Sequence, residues 1–514
     1  MKQVLESAER QTRPASRKFR PGGGPAGSHV DSNRRTILKA LGGSLLLGGL
    51  PRAYAQEVAE PYESFALAKS ASRSTPLDEL SATIDGHLIR WVRAPDGPCL
   101  GGGWAPAGDV TAQHFDMSRG AAPALREAML QAAMTGSKML ILPGLYLIER
   151  SISAELPGSL VIEFSTGARL IAAPGLSKTV LYPRGAKTSM VTCTTLDLTI
   201  INPQIDCSEG SSPSGKGGGF CSALSFNYLR NVRIEGGELY GGDAPENPNA
   251  DSGITWVTCC DVIVDGVKIE GFNDCAIYPG GNNMLGTDGD GGTGKITRCE
   301  IRNCRSAVSA KREMTLLIFQ GNTVEGCLAG VSSQDVRGAG GVPGARRLEI
   351  SDNTFSRCMS NVIRPRGATV GFARNNLITN FGFHPVTGKS AKRNAVAINM
   401  DGSDGFRLED NIIVLEDDFR DSQLALLFSQ HTFGDMIFDH ANCVGSGNTY
   451  MNIPRIMSFH SPGGPHKFVN EIIIGAGPQP FDEENVNPDT VVTYYSDDLS
   501  ELHVWPSPKA EPAR

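Results

Sequence analysis

The feature that most constrains this chain is an asparagine that returns at the same point of a degenerate repeat. Gly321-Asn322-Thr323-Val324, Asp352-Asn353-Thr354-Phe355, Asn375-Asn376-Leu377-Ile378, Asp410-Asn411-Ile412-Ile413 and Gly447-Asn448-Thr449-Tyr450 share one pattern, and their apolar fourth residues are 31, 23, 35 and 37 positions apart. Weaker copies end at Leu239, Ile269 and Ile301. Short alternating stretches such as Leu316-Leu317-Ile318-Phe319 precede the asparagines, as half-buried strands do. A spacing near 23 residues holds three short strands with turns, and the longer gaps are the same unit carrying a loop. Stacked windings place equivalent strands about 4.8 Å apart. An asparagine at one turn of every winding can then bond its neighbour's amide and the turn backbone, satisfying polar groups buried at the bend. A single asparagine is an ordinary turn former; five in register predict a ladder of Asn322, Asn353, Asn376, Asn411 and Asn448.

The cysteines follow the same repeat. Cys304, Cys327 and Cys358 stand three residues after the apolar position, with Phe272 and Phe381 in the matching place, which predicts buried small hydrophobes. Neighbouring windings would also bring their Cα atoms within disulfide range. The twelve cysteines include no CxxC pair, so neither a zinc ribbon nor a dithiol redox site is indicated. Ahead of the repeat, Ala124, Leu125, Ala128, Met129 and Ala132 recur at helical spacing until Thr135-Gly136, and two short strands follow around Pro143-Gly144. The expected fold is all-β: a single-stranded right-handed parallel β-helix of about ten coils. The N-terminal helix would cover the first winding's apolar interior and unpaired edges.

The first 55 residues read as a targeting segment. Ser32-Asn33-Arg34-Arg35-Thr36-Ile37-Leu38-Lys39 leads into a Gly-rich apolar run at 40–50 and then Ala53-Tyr54-Ala55. This resembles the twin-arginine export signal, in which a pair such as Arg34 and Arg35 precedes a weakly hydrophobic core and a small-x-small cleavage site. The resemblance implies folding before export, the twin-arginine translocase as a partner and a periplasmic or secreted location. The rest divides into an N-terminal extension (56–110), a cap with the first strands (111–194), the β-helix proper (195–477) and a C-terminal tail (478–514). No later apolar run reaches about 18 residues, so no membrane association is expected of the mature chain. Residues 1–55 hold ten of the 48 Lys and Arg and three of the 55 Asp and Glu; the remaining 38 and 52 give a net charge of −14, which disfavours non-specific nucleic-acid binding.

The helix followed by Leu140-Ile141-Leu142-Pro143-Gly144-Leu145-Tyr146-Leu147-Ile148 resembles the start of pectate-lyase-like β-helices and phage tailspike depolymerases, over about residues 110–175. The pectin-lyase-like superfamily so indicated implies a lyase or hydrolase acting on acidic polysaccharide. After each third strand the repeat turns outward through polar residues. Lys311, Arg312, Asp335, Arg337, Arg364, Arg366, Asp401, His431 and His460 would thereby line one vertical groove. Clustered guanidinium groups bind carboxylates bidentately, so a basic strip on an acidic chain suits an anionic polysaccharide such as a polyuronide. The plainer alternative is a solvated strand edge whose charges deter pairing. His431 and His460 are expected one coil apart in register, where they could share a proton or a metal, although no third ligand is evident.

Asn249-Ala250-Asp251-Ser252-Gly253-Ile254, followed by Phe272-Asn273-Asp274-Cys275-Ala276-Ile277, is similar to the polygalacturonase family's Asn-Thr-Asp-Gly and Asp-Asp-Cys motifs. That resemblance implies Asp251 and Asp274 as acid and base groups of an inverting hydrolase, with Lys311 as the family's lysine. The chain departs from the pattern: Asn273 stands where the family has an acid, Ser309 replaces an arginine, and a His-Gly motif is absent. An amide cannot protonate a leaving oxygen, so that acid/base pair is incomplete unless another carboxylate serves. β-Elimination from a uronate needs less: Lys311 beside Arg312 as base, with Arg337, Arg364 and Arg366 as carboxylate clamps. Asp288 and Asp290 could hold calcium, but the ligand series of an EF-hand is absent, and no other cofactor is expected. The competing class is a non-catalytic glycan-binding or structural cell-envelope β-helix that kept the solenoid and lost the acids.

Overall fold

The structure is a computed structural model that describes residues 79–93, 104–187, 193–210, 221–242, 251–281, 291–333, 344–367, 369–385, 387–391, 395–416, 423–433, 436–482, 484–497 and 499–506. Within 56–110, read above only as an extension, strands Glu79–Ile84 and His87–Arg93 form an antiparallel hairpin, and Trp104–Pro106 adds a third strand. The hairpin turns on Asp85 and Gly86, both at positive φ, as a tight two-residue loop requires. Leu80, Ala82, Ile89, Trp91 and Trp104 form its own small core. The expected helix spans Ala121–Thr135. It buries Ala124, Leu125, Ala128, Met129 and Ala132 and ends at Gly136, whose left-handed backbone (φ 68°) lets its N–H reach the Ala132 carbonyl.

Parallel stacking begins at Lys138–Ile141, inside the segment 111–194, and reaches Val491–Tyr495, inside 478–514. A typical winding supplies a strand before the asparagine turn, a three-residue strand after it and a longer strand on a third face, as in Asp261–Asp265, Lys268–Glu270 and Cys275–Gly280. Among the described residues the third face holds eleven strands, from Ile152–Glu155 to Arg455–Phe459, nine of them within 195–477. Side chains alternate along each strand, so one side of every strand feeds the interior. The repeat's apolar position forms a continuous buried stack: Leu239, Ile269, Ile301, Val324, Phe355, Ile378, Ile413, Tyr450 and Ile473 pair in register from winding to winding.

The asparagine ladder is present. Asn322, Asn353, Asn376, Asn411 and Asn448 are all buried. Asn322 donates from its backbone N–H and its Nδ2 to Oδ1 of Asn353, at 2.8 and 3.1 Å. The same two-pronged contact joins Asn353 to Asn376, Asn376 to Asn411 and Asn411 to Asn448. Each Nδ2 also donates to a carbonyl of the adjoining first-face strand, such as that of Ile350 for Asn376. The residue before each asparagine explains the rest of the pattern: Gly321, Asp352, Asn375, Asp410 and Gly447 are all left-handed, a backbone that Gly, Asn and Asp tolerate best. Cys304, Cys327, Cys358, Phe272 and Phe381 are buried as expected, the cysteines as free thiols. Cys193 and Cys260 form a disulfide, a pairing the spacing did not single out.

The ladder ends on an acid. Asn470-Glu471-Ile472-Ile473 repeats the pattern with Asn470 left-handed and Glu471 in the asparagine's place, where Oε1 accepts from Asn448 Nδ2 at 3.2 Å. Its Oε2 has no hydrogen-bond partner among the described residues. Burial pushes the Glu471 carboxyl up to about 8, against the pull of Asn448. As pH rises through the ordinary glutamate range toward about 8, the unfolded chain gives up this proton while the folded chain keeps it, so stability falls across that window. Glu471→Gln supplies the same neutral shape without a proton to lose. We expect its melting temperature to exceed that of the wild type at pH about 8, by a few kcal/mol of stability, with little difference at pH about 4. Equal pH slopes for the two proteins would contradict a buried protonated acid.

Candidate functional site

The third face carries the outward rows in which the site residues fall. Ser252 stands opposite Cys275, so Asp251 and Asp274, each just ahead of its strand, occupy the same position on neighbouring windings. The Asp274 N–H donates to the Asp251 carbonyl at 2.8 Å, which ties the two backbones together. Lys311, at the far end of the next strand, folds its ammonium over the Tyr278 ring at 4.6 Å from the centroid. The structure thus brings Asp251, Asp274 and Lys311 into one cluster. The Asp251 carboxyl is pushed up to about 6, by burial first and by the Asp274 charge second; a hydrogen bond from Ser252 Oγ (3.3 Å) and the Lys311 charge pull the other way. A carboxyl whose proton is held to about pH 6, well above the ordinary aspartate range, beside a second carboxylate is the usual arrangement for proton donation to a leaving group.

Arg312 follows Lys311 in a left-handed conformation, and so does Glu313, with φ of 62° and 52°. Two consecutive non-glycine residues in this region cost about 1–2 kcal/mol each. Glu313 accepts from Arg346 Nε at 2.7 Å, a contact that anchors this turn beside Lys311. Arg312 is half-buried within the turn.

The second cluster centres on Asp401. Arg364 Nη2 and Arg366 Nε donate to its Oδ2 at 2.7 and 2.9 Å, and Ser429 Oγ donates to its Oδ1 at 3.2 Å. His431 Nδ1 lies 3.5 Å from Oδ2. Asp401 is only 4% exposed. Burial alone would raise its carboxyl, but His431, Arg364 and Arg366 outweigh it and hold the group well below the usual carboxylate range. The two arginines expected to clamp a ligand carboxylate therefore clamp one of the protein's own. His431 and His460 do not stack, contrary to the expectation. His460 is exposed and shares a register row with Asp401 and Ser429, whereas His431 lies two residues further on, in the hairpin His431–Phe433 with Met436–Phe438. The chain crosses that row at Ser429 and then leaves the winding through the hairpin, so His431 falls past the row.

Asp335, Arg337, Asp288, Asp290, Arg34 and Arg35 lie outside the described residues. Among those described, no group of three His, Cys, Asp or Glu is placed to hold a metal ion. Tyr278, Ser252, Ser429 and Tyr182 were missed by sequence reasoning. Tyr278, Ser429 and Tyr182 face outward, next to the inward Ile277, Phe428 and Leu181, and strand alternation would have found them; Ser252 is buried at the inward start of its strand and only its place beside Asp251 marks it.

No family model matches this chain, and no curated protein sequence matches it. Among solved structures, a tailspike protein of Escherichia coli bacteriophage HK620 in complex with a pentasaccharide is similar at a TM-score of 0.51 and 10% identity, over 82% of this chain and 75% of that one. The mannuronan C-5 epimerase A-module of Azotobacter vinelandii aligns at 0.49 and 13%, over 76% and 99%, and a family 28 exopolygalacturonase of Yersinia enterocolitica at 0.43 and 11%, over 74% and 82%. The parallel stacking of the strands, together with the likeness to the tailspike protein, defines the chain as a parallel β-helix protein.

The Asp401 cluster makes a stability prediction. Asp401→Asn leaves two guanidinium groups partly buried without their carboxylate, and should cost about 3–5 kcal/mol in thermal or denaturant unfolding. A loss under about 1 kcal/mol would show that the arginines readily turn to solvent.

Proposed function

We propose that this chain is an exported enzyme that hydrolyses glycosidic bonds in an anionic polysaccharide. Asp251 donates the proton to the leaving oxygen, Asp274 is the partner carboxylate, and Lys311 meets a sugar carboxylate over Tyr278. The observation that carries this reading is the raised Asp251 carboxyl at the same height as Asp274 on the next winding. It supplies an acid and a base without the residue that Asn273 lacks. Elimination is less well supported. Two of the arginines it needs, Arg364 and Arg366, are engaged with Asp401, and Lys311 faces an aromatic ring and two acids, which are surroundings of a bound cation. The pentasaccharide complex of the similar tailspike is consistent with a glycan partner.

Export is part of the proposal. The Arg34-Arg35 motif supports it, as does the Cys193–Cys260 disulfide, since such bonds persist in oxidising compartments. Among the described residues no helix is long and apolar enough to cross a membrane.

The test is to incubate the purified protein with polygalacturonate, alginate and acidic capsular glycans, reading new reducing ends alongside the ultraviolet absorbance of unsaturated product. Reducing ends without unsaturation are expected, at a rate that falls as pH rises through about 6, where Asp251 loses its proton. Asp251→Asn should lower kcat by about 10²–10⁴-fold. Lys311→Met should move the alkaline limb to higher pH, because the removed cation favoured the ionised acid. Unsaturated product would replace hydrolysis by elimination, and binding without turnover would return the chain to the non-catalytic class.

A further inference from the structure

We propose that the groove holds a second sugar-binding position toward the N-terminal cap, built on Tyr182 and Arg184, and that it selects anionic oligosaccharides long enough to reach it. The proposal rests on the cleavage reading for its register, but not for the binding itself. Leu181 pairs with Leu224, Ser225 with Thr255 and Thr255 with Tyr278, so Tyr182 and Tyr278 stand in one outward row, three windings apart. That is about 14 Å along the solenoid.

The two tyrosines carry the same accessory. Arg184 lies over the Tyr182 ring at 5.9 Å from the centroid, as Lys311 lies over Tyr278 at 4.6 Å. An aromatic face with a cation beside it offers a stacking platform for the apolar face of a pyranose and a partner for its acidic group. Asn227 Nδ2 donates to the Tyr182 hydroxyl at 2.7 Å and fixes the ring. A recess of about 780 Å³ opens at Tyr182, lined also by Glu149, Arg150, Leu176, Lys178 and Thr179. Between the tyrosines the row holds only Ser225 and Thr255, so no bulky side chain of the row interrupts the path. In the opposite direction the row reaches Arg364, which is already bound to Asp401.

Asp251 lies two windings from Tyr182, about 10 Å along the solenoid axis, and four residues back along its strand from the row that Tyr182 shares with Thr255. An extended sugar chain rises by roughly one unit per strand spacing, so Tyr182 meets a sugar two or three units from the bond to be cut.

Uronic-acid oligomers of graded length provide the test, with KM and kcat measured for the wild type, Tyr182→Ala, Tyr182→Phe and Arg184→Gln. Calorimetry on the Asp251→Asn protein, with and without each change, reads binding without turnover. Tyr182→Ala and Arg184→Gln should weaken binding and raise KM about tenfold for long oligomers. The effect should vanish for oligomers too short to reach Tyr182, and Tyr182→Phe should stay close to the wild type. Arg184 is exposed, so its variant is secure against misfolding. Equal losses at every length, no loss at any length, or no binding of any oligomer would overturn the second position. Length-dependent loss of binding in a protein that turns nothing over would leave this site standing and sink the cleavage reading alone.

Discussion

A side-chain amide that both accepts from the winding before it and donates to the winding after it is a register device. Each ladder asparagine gives two bonds from Nδ2, and all but Asn322, which takes one from the Cys299 N–H, take two on Oδ1, in a place where water cannot substitute. A shift of one residue would break every contact at once and leave buried amides unpaired, each costing about 1–3 kcal/mol. Hydrophobic stacking opposes a shift of one residue, which would turn the apolar set outward, but not a shift of two; the ladder opposes both. Vertical alignment of everything on the outer faces follows, and with it the meeting of residues far apart in sequence.

That alignment makes two carboxylates of one groove behave in opposite ways. Asp251 is half-buried just ahead of its third-face strand, and Asp401 is buried at the end of one. Asp251 has a second acid in register on the next winding, which with burial holds its proton to about pH 6. Asp401 has two guanidinium groups and an imidazole, which hold it ionised. The difference lies in which residues neighbouring windings bring opposite each acid, so chemistry and rigidity are separated along one solenoid: a reactive pair, and a locked ion cluster around Asp401 four windings beyond Asp274.

Much of the fold was legible because the repeat states its own physics. The left-handed turn residue, the buried amide and the apolar position that follows are local choices written at every winding, and the capping helix is an ordinary amphipathic pattern with a glycine stop. Glu471 was legible too, from Asn470-Glu471-Ile472-Ile473, had an acid been admitted to the ladder. The site was less so. Sequence brought out Asp251, Asp274 and Lys311 through a damaged motif, yet gave no sign that burial would raise the Asp251 carboxyl to about 6. The pairing of Arg364 and Arg366 with Asp401 depends on register across 37 and 35 positions, which no local pattern states; the hairpin after Ser429 was legible, since Gly434-Asp435 stands as a two-residue turn pair between its strands.

Backbone hydrogen exchange in an Asn376→Ala variant tests the register claim most directly. The substitution removes the acceptor for the Asn353 N–H and the donor to the Ile350 carbonyl while leaving the neighbouring apolar stack untouched. The ladder account predicts at least about a hundredfold loss of protection at the Asn353 amide, from roughly 3 kcal/mol of lost and unsatisfied bonds. Unchanged protection there would mean that apolar stacking alone sets the register.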